Sequence, residues 1–407
     1  MDYLKSQSST TGNSSNTGDI HSVYMELQQD YEKQLWYQFS EKLIDIIHNK
    51  SFSTHLYDLY INTIQSIQFK LNQINLCRYI VYTLKQIDTN QQKIKLLKQI
   101  ESDISNHIAN LKKQTKISQV ELNEYIYTQL IISSQCISIQ INELGQPDKI
   151  EPLKDIIDSN IITLNNFSHT LDPYIHSNIY YSQLIYYKYV GPATVYFNSA
   201  LNYLIYVDIN ELTPVEQNEL SYDIGIAALL GDNIYNYGEL LSHPLIRTLQ
   251  SNHNNSWLYE LLVTCNNGEI QKFESSYKSN SSKSNALQGT GKQEFLYEKV
   301  RIMSLINTIF QRNSNARTIT FNDIASICKI KLNYVEWLLM KSLSLGVIKG
   351  EISEIQQTIR ITWVQPRVLN IEQIHQITTK LNIWNNELDK NITFLEQNGA
   401  ELIKVNN

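Results

Sequence analysis

The sequence predicts a mostly α-helical fold: a helical-repeat, TPR-like right-handed solenoid, then a winged helix and a long C-terminal helix. Three observations support this prediction. Apolar residues recur every three to four positions up to about residue 274, as on the buried face of a helix. One stretch, residues 358–364, alternates with a period of two, as strands do. After residue 370 the apolar residues take the seven-residue spacing of helices that pack side by side.

The N-terminal part of the chain predicts a tail and a helical arm. Residues 1–20 are rich in Ser, Thr and Asn without an apolar period, so we expect a disordered tail. Residues 21–274 predict a helical-repeat arm in which helices pair through tight turns. The Ile-rich stretch QLIISSQCISIQI favours a strand by propensity. It lies, however, in an apolar pattern over residues 122–144, which is too long for a strand, so we predict a helix.

Turn residues divide the arm into helical hairpins. Asp172 and Pro173 predict an N-cap and the first position of a helix. Gly191 is predicted to end that helix in the left-handed conformation. Thr213 and Glu216 have the spacing of a capping box, in which each side chain satisfies the other residue's backbone.

Residues 275–293 are polar and predict a flexible loop between the arm and the next domain. Their GTGK stretch resembles a phosphate-binding loop. That motif requires a glycine where Ala286 stands, a hydroxyl where Gln293 stands and a preceding strand. All three are missing, so the stretch is interpreted as a linker.

Residues 294–366 have the element order of a winged helix: helix, strand, helix, turn, helix and hairpin. Thr320 and Asn333 each precede an acidic residue by three positions, which predicts the N-caps of the second and third helices. Gly346 predicts the end of the third helix.

The last strand of the winged helix is the first predicted site of protein interaction. Ile359, Ile361 and Trp363 alternate with polar residues, so we expect them to form the inner face of a small sheet. An exposed edge of such a sheet can pair with the sheet of another protein. The alternative is that the three side chains only close the local core.

The C-terminal helix, predicted over residues 367–400, is the second predicted site of protein interaction. Asn370 is its predicted N-cap and Gly399 its predicted end. A heptad seam runs along it, and a single small domain offers too little surface to cover that seam. We therefore expect partner helices to bury the seam residues, which are Ile374, Ile377, Leu381, Trp384, Leu388 and Leu395.

Composition excludes several classes of protein. The formal charge of −6 gives no general attraction to nucleic acid or to anionic membranes. The four cysteines are far apart and form no CxxC pair, which indicates reduced, buried thiols. The sequence shows neither the apolar core of a signal peptide nor a run of about 20 apolar residues, so we expect an intracellular protein.

We find no spaced set of residues that predicts catalysis, a metal or a cofactor, and we expect none of these. A winged helix can also bind DNA through its third helix. Here that helix has the sequence NYVEWLLMKSLSLG, in which Lys341 is the one basic residue, and Glu351 and Glu354 lie near the hairpin turn. DNA binding requires several basic residues, so the sequence favours contact with protein.

Three stretches resemble a known family. GIAALLGDNIYNYGELLSHPLIRTL (225–249), LNYVEWLLMKSLSLGVIKGEI (332–352) and ITWVQPRVLNIEQI (361–374) are similar to the non-ATPase regulatory subunit 13 family, whose members are PCI-domain subunits of the proteasome lid. The similarity extends from about residue 170 to the C-terminus. The Asn/Ser-rich tail and the polar segment 275–293 depart from it.

The resemblance implies a non-catalytic lid subunit of the cytoplasm and nucleus. Its winged helix would pair edge to edge with other PCI subunits, and its last helix would join a helical bundle with the lid deubiquitinase pair. The arm would lie near the ubiquitin-receptor subunit. Two alternatives remain open: a PCI subunit of the COP9 signalosome or of a translation initiation factor, and a helical adaptor whose winged helix binds nucleic acid.

Overall fold

The computed structural model describes residues 18–48, 55–87, 89–112, 119–167, 171–252, 254–280, 287, 289–312, 317–368 and 371–405. The chain divides into two compact units, Met1–Ile209 and Asn210–Asn407. Most of the predicted tail, residues 1–17, lies outside the described residues. The domain boundaries drawn from the sequence stay a prediction.

The first unit consists of helices in its described part. These helices are α1 (Gly18–Glu32), α2 (Trp36–His48), α3 (Leu56–Leu59), α4 (Gln65–Ile67), α5 (Gln73–Leu84), α6 (Asn90–Lys112), α7 (Gln119–Leu144), α8 (Pro147–Ile150), α9 (Lys154–Asn166), α10 (Pro173–Val190) and α11 (Ala193–Tyr206). A π-helical turn, Tyr60–Ile64, joins α3 to α4. Helix α6 packs against α7, α7 against α10, and α10 against α11.

Local sequence signals explain where these helices begin and end. The Ile-rich stretch lies within α7, so the long apolar period outweighs strand propensity there. The Asp172 side chain accepts a hydrogen bond from the backbone N–H of Tyr174 and caps α10, as predicted. The left-handed conformation predicted for Gly191 is wrong: its φ is −90° and its backbone is extended. The proline that follows disfavours helical backbone at this position.

The second unit begins with six helices: α12 (Pro214–Leu230), α13 (Gly238–Ser242), α14 (Pro244–Ser251), α15 (Ser256–Asn267), α16 (Ile270–Asn280) and α17 (Thr290–Gln311). The capping box of Thr213 and Glu216 is present at the start of α12. Helices α16 and α17 extend into the segment predicted as a polar loop, residues 275–293. Buried Tyr277 explains part of this extension, because its hydroxyl donates to the carbonyl oxygen of Leu287 at 2.9 Å.

The winged helix follows α17 and has the predicted element order. Its elements are β1 (Thr318–Thr320), α18 (Phe321–Cys328), α19 (Val335–Ser344), β2 (Ile348–Ser353) and β3 (Thr358–Val364). The sheet is antiparallel in the order β1-β3-β2. Thr320 caps α18 as predicted. Asn333 does not cap α19, because it lies inside a 3-10 turn, Leu332–Tyr334, that leads into the helix.

The last helix, α20 (Ile371–Val405), has 35 residues and is therefore about 52 Å long. It continues through Gly399, where the sequence predicted its end. A glycine inside a helix costs only about 1 kcal/mol, which the flanking helix-forming residues outweigh. The predicted cap Asn370 lies outside the described residues. Helical repeats, a winged helix and a long terminal helix are all present, which confirms the predicted fold class.

Candidate protein-interaction surfaces

The predicted interaction strand, β3, lies in the centre of the small sheet. It pairs with β1 on one side and with β2 on the other. The side chains of Ile359 and Ile361 are buried beneath it. Since both backbone edges of β3 are occupied, pairing with another protein requires the outer edge of β1 or β2. The central location of β3 could not be inferred from the alternation of its residues alone.

A β-bulge turns Trp363 away from the inner face. The register shifts between Lys349, which lies opposite Trp363, and Gly350, which lies opposite Ile361. The unmatched residue, Thr362, reverses the alternation, so 39% of Trp363 is exposed and Val364 is buried instead. The expectation that Trp363 faces inward is therefore wrong. Gly350 permits the bulge, because a Cβ atom there would collide with the backbone of β3.

Helix α19 presents an apolar surface where DNA-binding winged helices present cations. Tyr334, in the turn that leads into the helix, and Trp337 and Met340, on the helix, are all exposed. The one basic residue on the helix, Lys341, forms an ion pair with Glu298 and lies 5.1 Å from the Trp337 ring centroid. A lysine already paired with a carboxylate is poorly available to a phosphate. The surface of α19 thus suits contact with protein.

Helix α20 carries the largest apolar surface of the second unit among the residues that the structure describes. Its six predicted seam residues are all exposed, from 40% for Leu388 to 66% for Leu395. Ile383 and Phe394, which the heptad pattern does not include, are also exposed. These two lie eleven positions apart, which returns to the same side of a helix, about 130° from the middle of the seam. Apolar residues on two sides require more than one neighbouring helix for their burial.

The segment that leads into α20 is attached to the helices of the second unit. Arg367 Nη2 donates to the carbonyl oxygen of Asn266, at 2.9 Å, and to its Oδ1, at 2.7 Å. Asn266 is near the end of α15. Val368 lies directly over Gly238, at the start of α13. These contacts bring together residues that are about 100 positions apart in sequence.

A buried lysine, Lys299, joins α17 to α12. Its Nζ atom donates to the carbonyl oxygens of Ala228 at 2.8 Å, Leu229 at 3.1 Å and Gly231 at 2.7 Å. These carbonyls end α12, where the helix dipole and the unpaired acceptors both favour a cation. Burial lowers the pKa of Lys299 to about 8. No sequence motif predicts this role; the one signal is a lysine within the apolar run of α17.

The titratable side chains around Lys299 are structural. Burial raises the pKa of the Cys265 thiol to about 11 and the pKa of the Tyr237 hydroxyl well above its ordinary value, so both stay protonated at neutral pH. His243 accepts a hydrogen bond from the backbone N–H of Leu245 and caps α14.

The described part of the chain contains neither a grouped set of metal ligands nor a helix that could span a membrane. Within it, no three His, Cys, Asp or Glu side chains are grouped as ligands for a metal ion. None of the helices that the structure describes combines the length and apolarity needed to cross a membrane.

The comparisons with known proteins agree with this architecture. Residues 23–262 match the family model for PSD13 N-terminal repeats, and residues 282–363 match the PCI domain. The 26S proteasome non-ATPase regulatory subunit 13 homolog B of Arabidopsis thaliana is 30% identical over 99% of both chains. The 26S proteasome regulatory subunit RPN9 of Saccharomyces cerevisiae is 29% identical over 94% of both.

An initiation-factor relative is more distant. Eukaryotic translation initiation factor 3 subunit M of Yarrowia lipolytica is 23% identical over 42% of this chain and 41% of its own. That match leaves more than half of the chain unaccounted for, so the initiation-factor alternative is not favoured. The repeat model and the nearly full-length relatives account for both units, and they confirm the resemblance predicted from the quoted stretches. The chain belongs to the family of 26S proteasome non-ATPase regulatory subunit 13.

Proposed function

We propose that the chain is a non-catalytic structural subunit of the lid of the 19S regulatory particle of the 26S proteasome. In this role it supports lid assembly and, through it, ubiquitin-dependent protein degradation. The observation that carries the proposal is the uncovered apolar surface of α20, in a chain whose nearly full-length relatives are named as proteasome regulatory subunits. The function rests on binding, with no reaction catalysed by this subunit and no cofactor.

Burial of α20 provides the binding energy. Complete burial of one large apolar side chain contributes about 1.5–3 kcal/mol. The six seam residues are each roughly half exposed, so they offer on the order of 5–10 kcal/mol before the cost of association is subtracted. The apolar residues on a second side of α20 fit a bundle of several helices. We propose that this bundle includes helices of the lid deubiquitinase pair.

The winged helix provides a second contact, with other PCI subunits of the lid. The strands that can extend a neighbouring sheet are β1 and β2, because β3 is already paired on both sides; we assign this contact to β2, which has six residues against three in β1. The exposed apolar side chains of α19 fit the same kind of partner. The helical arm would lie near the ubiquitin-receptor subunit. The resulting protein is part of a hetero-oligomer of the cytoplasm and nucleus and binds neither nucleic acid nor membrane.

Truncation after Val368 tests this function. The shortened chain keeps all elements up to the segment that precedes α20, so the second unit should fold, as judged by its thermal unfolding. We expect it not to enter a lid reconstituted from the other subunits, whereas the full-length chain enters stoichiometrically. Native mass spectrometry of the reconstituted lid measures the incorporation of the truncated chain and of the full-length chain. Stoichiometric incorporation of the truncated chain would remove α20 as the source of binding energy and the proposed function with it.

A further inference from the structure

The motif QPRV, residues 365–368, belongs to a stretch that identified the family, yet no binding surface described above uses it. Its first residue continues the sheet, because the Gln365 N–H donates to the carbonyl oxygen of Val347 at 2.9 Å. Two residues later the chain reaches α15, where Arg367 forms its two hydrogen bonds with Asn266. The motif thus runs from the winged helix to the repeat helices.

The last residue of the motif, Val368, packs against a second helix, α13. A Cβ atom at Gly238 would lie 2.5 Å from Cβ of Val368, so the backbone of α13 and the Val368 side chain are in direct contact only because residue 238 is a glycine. Near it, Tyr237 is fully buried, and Cys265 Sγ lies 3.8 Å from its hydroxyl. The contacts of Arg367 and Val368 therefore lie beside the buried interior of the second unit.

Only a short connection separates this attachment from the binding helix. Helix α20 begins at Ile371, three residues after Val368. Consecutive Cα atoms are about 3.8 Å apart, so α20 starts within about 11 Å of Val368 whatever conformation the connection takes. Holding Val368 in place therefore confines the origin of α20 to this short distance from the winged helix and the repeat helices.

We propose that Arg367 is a positioning residue for assembly. Its guanidinium, held by Asn266, fixes the origin of α20 on the second unit, so that the seam of α20 and the edge of β2 are presented to the lid together. Preorganisation of this kind increases affinity because less ordering is left for the binding step. The proposal rests on the proposed function, in which α20 is the helix that the lid buries.

The first measurement uses the isolated full-length chain and does not depend on the lid. Single cysteines replacing Lys278, on α16, and Asn382, on α20, carry spin labels; both positions are exposed, whereas the four native cysteines are buried. Pulsed electron–electron double resonance gives the distribution of distances between the two spin labels. We expect Arg367→Met, which removes the donors and keeps an apolar side chain, to broaden the distribution. Arg247→Met, at an exposed arginine of α14, should leave it unchanged.

The second measurement is the rate at which each chain enters a lid lacking this subunit. We expect Arg367→Met to enter about tenfold more slowly, whereas Arg247→Met enters like the original chain. Asn266→Ala removes one of the two acceptors and should give a smaller effect, which keeps the test decisive if Arg367→Met fails to fold. Applied to Arg367→Met, Asn266→Ala should add little, because both changes break the same contact.

Two results would overturn the proposal. One is an unchanged distance distribution in folded Arg367→Met or Asn266→Ala protein, since the contact then does not fix α20. The other is a broadened distribution with normal incorporation, since the fixed origin then does not serve assembly. Failure of the proposed function has a different signature, because the chain truncated after Val368 would then enter the lid normally.

Discussion

At the scale of single residues, Lys299 holds two helices together through a charge placed where a helix ends. The protonated ammonium has three N–H donors, and the end of α12 provides three carbonyl oxygens for them. The rings of Tyr237 and Phe295 also lie within 6 Å of the ammonium. Burial of this charge is therefore compensated in part by hydrogen bonds, by the helix dipole and by aromatic rings.

Lys299→Met should destabilise the second unit by about 2–4 kcal/mol at neutral pH, because buried carbonyl groups lose their donors. Lys292→Met, at an exposed lysine of the same helix, is the matched control and should change little. Urea unfolding of the two variants measures the difference. Equal stability of both variants would contradict the structural role of Lys299.

The pH dependence of this destabilisation has a definite sign. Burial lowers the pKa of Lys299 to about 8, below the value of 10.5 expected in the unfolded chain. Between these pH values the unfolded state binds more protons, so this group makes the free energy of unfolding rise with pH, by up to about 1.4 kcal/mol per pH unit. Below about pH 8 both states are protonated and the contribution is constant.

Methionine does not titrate, so the difference in unfolding free energy between the original chain and Lys299→Met should grow as pH rises from about 8 to about 10. Urea midpoints at several pH values in this range provide the measurement. Parallel curves for the two proteins would show that the pKa of Lys299 is not lowered.

Gly238→Ala tests the contact between α13 and Val368. The added methyl group would lie 2.5 Å from the Val368 side chain, so we expect a loss of about 1–3 kcal/mol from overpacking. Gly291→Ala is the control, because nothing lies within 4 Å of its Cβ position in α17; there the change should stabilise by up to about 1 kcal/mol. Thermal unfolding of the two variants compares them, and similar shifts in Tm would contradict the contact.

At the scale of elements, α20 is a long helix, and none of its described side chains is buried in the core of the second unit. Every described side chain of α20 between residues 374 and 397 is exposed. The apolar side chains of α20 are therefore accessible to helices of other proteins.

Replacing both Trp384 and Leu388 by alanine should weaken assembly far more than Lys380→Ala. The double change removes two large seam side chains, worth about 3–6 kcal/mol if fully buried in the bundle, whereas Lys380 lies outside the seam. A pull-down of lid subunits at several subunit concentrations compares the variants. Equal affinities would exclude the seam as a binding surface. All three substitutions are at exposed positions, so the isolated chain should keep its Tm.

At the scale of the whole molecule, the second unit combines an interior held by buried contacts with two surfaces for protein interaction. Its repeat helices enclose the Lys299 and Arg367 contacts, its small sheet offers an edge, and its last helix offers a seam. The stretches that resemble the family, residues 225–249 and 361–374, supply much of this interior. Their likeness to the family therefore reflects the construction of the second unit as well as its surface.

An isolated chain with this much uncovered apolar surface should associate with itself. We expect the full-length protein to show a mass that increases with concentration in light scattering coupled to gel filtration. The chain truncated after Val368 should stay monomeric over the same range. A full-length protein that remains monomeric at every concentration would argue against an accessible seam.

The sequence by itself determined the helices, the winged helix and the seam of α20, because each depends on a local period or on a cap a few residues away. It could not determine that a bulge turns Trp363 outward or that β3 is the central strand, since strand order and register arise from pairing between distant segments. The contacts of Lys299 with Gly231 and of Arg367 with Asn266 link residues 68 and 101 positions apart. Only the tertiary structure decides such contacts, because they exist once separate helices have packed and the remaining buried acceptors need donors.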